Sequence, residues 1–297
     1  MPKRMHSLSL ALALAALGAS VAVAAETAMS ADTVSVTATT KRPADALAGS
    51  AASFVDTRTR LTQIDQVARW KDPVCPTADG LPPAFNTFIA DRVRAIAAKA
   101  GAPVEKSCKP NVEIMFTADP QKMANEVADR SPWLFGTHLS SSARHLATVS
   151  HPIQAWYVTA TREQSGRQTT DTPFDPVGVT GTNRKVFGSR LGNDKSSVFE
   201  NVVIIADASK LAGHDVGTVA DYLAMLALSQ IDQSSGCAPL PSITDAFSNC
   251  AGEAAVTTLT DVDLAYLTGL YATSPNVLGS TARNNIARQM TDALAAH

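Results

Sequence analysis

The sequence predicts an α+β protein with a small sheet of three or four strands packed by helices. Three observations carry that expectation. Val198–Ala206 (VFENVVIIA) holds a continuous β-branched run of the kind found in a strand buried on both faces. Val216–Ile231 (VGTVADYLAMLALSQI) follows after a short turn and is apolar nearly all round, the pattern of a buried helix. Two further strand patterns, Val112–Thr117 and Ile153–Thr161, are separated from these by helical or irregular stretches rather than by strict βα alternation. The expected unit is one α+β domain from Phe54 to His297.

The chain has 297 residues, 25 basic and 27 acidic, for a net charge of −2. It opens with Lys3 and Arg4, then the apolar run Leu8–Val23, then Val23-Ala24-Ala25 before Glu26. A basic start, apolar centre and small-residue exit are the pattern of a secretory signal peptide covering residues 1–25. Cleavage leaves 23 basic and 27 acidic residues, a net charge of −4, in 272 residues. Mild acidity of this kind gives no electrostatic footprint for nucleic acid. No later segment is apolar enough for a transmembrane span. Residues 26–53 are rich in Ala, Thr and Ser and read as a flexible arm. Within the arm, Val34–Pro43 resembles the opening segment of outer-membrane TonB-dependent receptors, though the chain is far too short for such a barrel.

The four cysteines, Cys75, Cys108, Cys237 and Cys250, are an even number in a chain expected to be exported, which favours disulfides. Three connectivities exist. Cys75–Cys108 and Cys237–Cys250 are preferred because each pair brackets one local segment. A four-cysteine zinc site lacks its usual CxxC pair.

Arg58–Lys71 shows helical spacing at Leu61, Ile64, Val67 and Ala68. Pro82-Pro83 opens a clear helix whose stripe runs from Phe85 to Ala100 and ends at Gly101. Asp119-Pro120 reads as N-cap and first residue of a helix reaching Asp129. Asp215 is the expected N-cap of the central helix. Asp221, inside that helix, must find water or a partner, because an unpaired buried carboxylate is costly. Thr260 and Asp263 form a capping box for Leu259–Tyr271, and Ser280–His297 closes the domain.

Residues 131–152 hold most of the chemistry-capable side chains, including His138, His145 and His151, pinned by Trp133, Leu134 and Phe135. The histidine spacings are not the i,i+3 or i,i+4 of a helix-borne metal pair. Residues 162–193 read as a mobile loop or long hairpin. The sequence contains no HExxH, no GxSxG, no GxGxxG and no GxxxxGK[ST]. These motifs give no catalytic, cofactor or metal assignment, and no cofactor is expected. The candidate groove lies beside the central helix, with Asp221, Tyr222 and His214, and with His138 and His145 from the irregular segment.

Ala68–Pro76, Pro110–Pro120, Ala220–Gln230 and Leu259–Tyr271 resemble a family of exported proteobacterial proteins with no established activity. The layout of a buried helix, a loop and an LTDxDLxxLxxLY helix is also similar to secreted zinc peptidases of the metzincin kind. In that alignment Asp221, Tyr222 and Met225 stand at the first His, the Glu and the second His, and none can fill the role. The resemblances imply a peptidase-like scaffold without its metal. The leading expectation is a non-catalytic binding or scaffold protein of the periplasm or envelope, with an envelope protein as a partner. The alternative is a secreted hydrolase built on the His138–His151 loop.

Overall fold

A computed structural model describes residues 44–171, 194–248, 250 and 256–296. The leader, and the arm as far as Pro43, lie outside the described residues, as does the greater part of the 162–193 stretch. In chain order the elements are α1 (Ala44–Arg58), β1 (Pro76–Asp79), α2 (Pro83–Ala100), β2 (Val112–Thr117) and α3 (Pro120–Arg130). After a 3-10 turn at Pro132–Phe135 come α4 (Ser140–Leu146), β3 (Ile153–Glu163), β4 (Gln168–Thr170) and β5 (Lys195–Asp207). The chain then forms α5 (Val216–Leu228), a second 3-10 turn at Ile243–Asp245, α6 (Asp261–Ala272) and α7 (Gly279–Ala295).

The class is α+β as expected, but the sheet has five strands rather than three or four, in the order β1-β2-β5-β3-β4. The two missed strands are the short edges. β1 begins on a proline and has four residues, and β4 has three fully exposed ones, so neither shows an apolar period. β1, β2 and β5 run parallel, with Pro76 opposite Val112 and Val112 opposite Val202. β3 runs antiparallel to β5 and pairs with β4 in a hairpin. The β1–α2–β2 unit turns at Gly80, where φ is +98° and a Cβ would lie 2.1 Å from the Phe116 carbonyl oxygen. Only glycine allows β2 to pass that close.

β5 is buried on both sides because its residues alternate between two cores. Val202, Ile204 and Ala206 face the larger one, with Phe54 of α1, Ile89 and Val93 of α2, and the apolar body of α5. Val203 and Ile205 face a smaller one built from Ala124, Ala128, Leu134, Phe135 and Ala143. Five helices crowd the first face. Among the described residues, the second carries only α3, α4 and the 3-10 turn between them.

Helix ends follow the sequence. Gly101 caps α2 in the left-handed conformation, the Asp119 carboxylate accepts from the Lys122 N–H, and Asp215 accepts from the N–H groups of Gly217 and Thr218. The Thr260–Asp263 capping box is complete. Asp207 ends β5 and accepts from the Ser209 hydroxyl and from the Ser209 and Lys210 N–H groups.

Two segments depart from expectation. Residues 44–53, read as flexible arm, are the first part of α1, which buries Ala51, Phe54 and Val55. Their small residues hide a stripe whose partner is α7. The helical spacing at 58–71 gives no helix beyond Arg58. Long-range bonds hold this stretch irregular: the Gln66 amide donates to the Lys195 carbonyl and accepts from the Ser197 N–H, and the Arg69 carbonyl accepts from Phe199. Tertiary bonds of this kind override a weak local period. Both expected disulfides, Cys75–Cys108 and Cys237–Cys250, are present.

Candidate functional site

The groove expected beside α5 is not where the open space lies. Asp221 is 1% exposed and its carboxylate is fully engaged. It accepts both Nε–H and Nη2–H of Arg92, the latter at 3.0 Å, and the Leu259 N–H at 2.7 Å. The Asp221 hydrogen bond raises the Arg92 pKa above its ordinary value against the opposing effect of desolvation. A bidentate carboxylate–guanidinium pair with a third backbone donor is a brace, here tying α2 and α5 to the start of α6. Met225 is completely buried in the main core. Asp221 and Met225 therefore line neither cavity described below.

Tyr222 does reach a small cavity of about 110 Å³, shared with Arg58, His151, Gln233, Asp245 and Phe247. Its hydroxyl accepts from the Gln233 amide at 3.2 Å. Burial raises the phenol above its ordinary range, while the Gln233 bond and the nearby Arg58 oppose that shift. Arg58 itself is buried and bound to Asp245 at 2.6 Å and to the Ser235 hydroxyl at 2.8 Å. The polar groups of this cavity are thus largely committed to one another, and its volume is small for a ligand.

The histidines do not converge. His138 lines a different cavity, His145 sits on the exposed side of α4, and His151 contacts Ser150 and Gln154. His214 is exposed and meets the Phe247 ring edge-on at 5.0 Å. Among the described residues, no three His, Cys, Asp or Glu side chains are grouped to hold a metal.

The larger cavity, about 670 Å³, opens on the sparsely covered face of the sheet. Its origin is visible in the strand register. Val158 pairs with Asn201 and Thr159 with Phe199, so Glu200 is an extra residue in β5. A β-bulge of this kind re-aims the side chains on either side of it. Glu200, Asn201 and Val158 line the cavity at this point, just where α3 and α4 cease to cover the sheet.

One wall is the 3-10 turn after α3. Leu134 and Phe135 are buried there, with Phe135 edge-on to Trp156 at 5.4 Å. Trp133, expected to pin the loop with them, instead turns outward. It is 50% exposed and lines the cavity beside Gly136, Thr137 and His138. The opposite wall is formed by the segments before β1 and β2, joined by the Cys75–Cys108 disulfide. Asn111 reinforces that rim, accepting from the Cys75 N–H at 2.8 Å and donating to the Pro73 carbonyl at 2.9 Å.

The distinctive group is Asn201. It is 6% exposed, and its amide oxygen, itself closed off from solvent, has no hydrogen-bond partner among the described residues. A buried acceptor without a donor costs about 1–3 kcal/mol. Its neighbours on the wall are satisfied: Glu200 accepts from the Gln168 amide at 2.6 Å, and Asp72 is paired with Arg162. Half-exposed indole, unpaired amide and rigid rim make this the cavity best suited to a bound small molecule.

Sequence reasoning named His138 from this site and missed Asn201 and Glu200. The signal was present: two adjacent polar residues interrupt the apolar β5 run. Comparisons with protein-family models, curated proteins and solved structures found no match to this chain.

Proposed function

We propose that this chain is an exported, non-catalytic binding protein of the periplasm or cell envelope, and that its site is the cavity between Trp133 and Asn201. The observation that carries the reading is the concavity of about 670 Å³ itself, walled by the half-exposed Trp133 indole, Asn201 and the Cys75–Cys108 rim. Beside α5, the Asp221 carboxylate, the Tyr222 hydroxyl and the Arg58 Nη groups are bound within the fold. Export rests on the leader sequence, and two disulfides suit an oxidising compartment. A hydrolase built on residues 138–151 finds little support in a set of histidines that face different ways.

The test is native mass spectrometry on mature protein isolated from the periplasm under non-denaturing conditions. The reading expects processing before Glu26 and a retained small molecule that is released on unfolding. The Trp133→Ala variant, whose site is half-exposed, is expected to fold as the parent does and to lose that molecule. Retention by Trp133→Ala equal to the parent's would remove the site from consideration.

A further inference from the structure

We propose that residues 104–110 form a flap at the wall of the Trp133 cavity, held closed by the Cys75–Cys108 disulfide and released when that bridge is reduced. The use of the flap rests on the binding reading above. Its motion does not.

The loop between α2 and β2 has firm ends and an unsupported middle. At one end the Pro103 carbonyl accepts from the Val74 N–H at 2.8 Å. At the other the Asn111 N–H donates to the Cys75 carbonyl at 3.1 Å, and the Asn111 side chain bonds the Cys75 N–H and the Pro73 carbonyl. Between these ends Val104, Glu105, Lys106, Ser107, Lys109 and Pro110 are all exposed. None of them belongs to either core. Among the described residues, none forms a hydrogen bond or ion pair with a group outside the loop. Cys108 alone is partly covered, and it is the residue joined to Cys75.

A segment without buried apolar side chains or bonds to its surroundings has little local stability. Here a covalent bond replaces the missing packing. The rim is therefore rigid only while the bridge is intact. Cys75, Glu105, Cys108, Lys109 and Pro110 all line the cavity, so release of the loop removes one wall of it. Cys237 and Cys250 do not line that cavity, and their bridge serves as the internal control.

The chemistry is thiol–disulfide exchange with a dithiol reductant. Cys75 is 4% exposed, so access favours attack at the Cys108 sulfur. A thiolate of the reductant bonds to Cys108 Sγ, the Cys75–Cys108 bond breaks, and its electron pair leaves on Cys75 Sγ, which takes up a proton. The second thiol of the reductant then displaces Cys108, closing its own disulfide. The protein gains two thiols and the reductant loses two. In an oxidising compartment the flap stays shut.

The experiment is limited trypsin digestion of the mature protein, oxidised or treated with dithiothreitol, with hydrogen exchange followed in parallel. Lys106-Ser107 is a tryptic bond inside the flap, whereas Pro110 protects the bond after Lys109. Cleavage after Lys106 is expected to be at least about tenfold faster once Cys75–Cys108 is open. Cys75→Ser with Cys108→Ser should cleave as fast without reductant, and Cys237→Ser with Cys250→Ser should cleave like the parent. The Val74, Asn111 and β2 amides should keep their protection throughout. Unchanged cleavage with both thiols free would overturn the proposal, because packing would then hold the loop. So would loss of β2 protection together with cleavage, or a bridge that dithiothreitol opens only on unfolding, since either makes the bridge a staple of the framework. None of these readouts uses a ligand. The binding reading fails separately, if nothing is retained from the periplasm, and the flap would then stand without a cargo.

Discussion

Two buried polar groups on opposite faces of the sheet are treated in opposite ways. On the crowded face, Asp221 is sealed under α2, α5 and α6, and both its oxygens are engaged, by Arg92 and the Leu259 N–H. On the sparse face, Asn201 is nearly as buried, yet its oxygen meets no donor. A charged group surrounded by partners is part of the framework. A neutral group left short of a partner beside open space is a candidate for recognition. The sequence drew attention to the first because a carboxylate in an apolar helix stands out. The geometry points to the second.

Removing the Cys75–Cys108 bridge tests whether the sparse face depends on a covalent staple where the crowded face depends on packing. The bridge closes a separation of 33 residues. Chain-entropy arguments give a loss of about 4 kcal/mol for Cys75→Ala with Cys108→Ala. The Cys237–Cys250 bridge, with a separation of 13, is expected to contribute about 3 kcal/mol. Urea unfolding of the two double variants should preserve that order, and only the first should disturb the Trp133 cavity.

Asp221→Ala attacks the brace itself. It leaves the Arg92 guanidinium and the Leu259 N–H without their acceptor. Arg92 is 37% exposed and regains some water, so the expected loss is about 3 kcal/mol, at the low end for a broken buried pair. Ligand capture by the surviving folded protein should be unchanged. Capture lost with Asp221 at full stability would return the site to the α5 groove.

A smaller effect separates polar groups that shape turns from both. The Ser209 hydroxyl, with the Ser209 and Lys210 N–H groups and the Lys210 charge, holds the Asp207 carboxyl below its ordinary range. A depressed carboxyl contributes stability above its unfolded value, and that contribution disappears as pH falls through the folded value. Asp207→Asn should therefore be less stable than the parent at neutral pH, by about 1 kcal/mol or less. The gap should close as pH drops below the usual carboxylate range. Thermal melts of the pair from pH 7 to pH 2 check the sign, and a gap that widens in acid would contradict it.

Much of the fold was readable because its signals are local. Asp119, Asp215 and Thr260 announce helix starts, Gly101 announces an end, and β2, β3 and β5 carry enough β-branched and aromatic residues to declare themselves. The misses are non-local. β1 and β4 are strands only because β2 and β3 lie beside them. Residues 58–71 keep a helical period but are held by Gln66 and Arg69 to β5. Residues 44–53 carry mostly small side chains, with Leu47 the one large apolar group, and their burial depends on α7. The candidate site was the least legible part. It arises from one extra residue in β5, an outward turn of Trp133 just before the buried Leu134 and Phe135, and the place where α3 and α4 end. None of these has a spacing rule. The Glu200-Asn201 interruption was the one available clue.

The most direct test is the equilibrium unfolding free energy of Asn201→Leu beside the parent, in ligand-free buffer. Leucine keeps asparagine's branching at Cγ, with larger methyl groups beside the open cavity, and removes an acceptor that has no donor. Stability equal to the parent's or higher by about 1 kcal/mol, with ligand capture lost, is the predicted result. A loss of about 2 kcal/mol or more would mean that the Asn201 amide is a satisfied part of the framework, like Asp221, and would contradict the assignment of the cavity as a binding site.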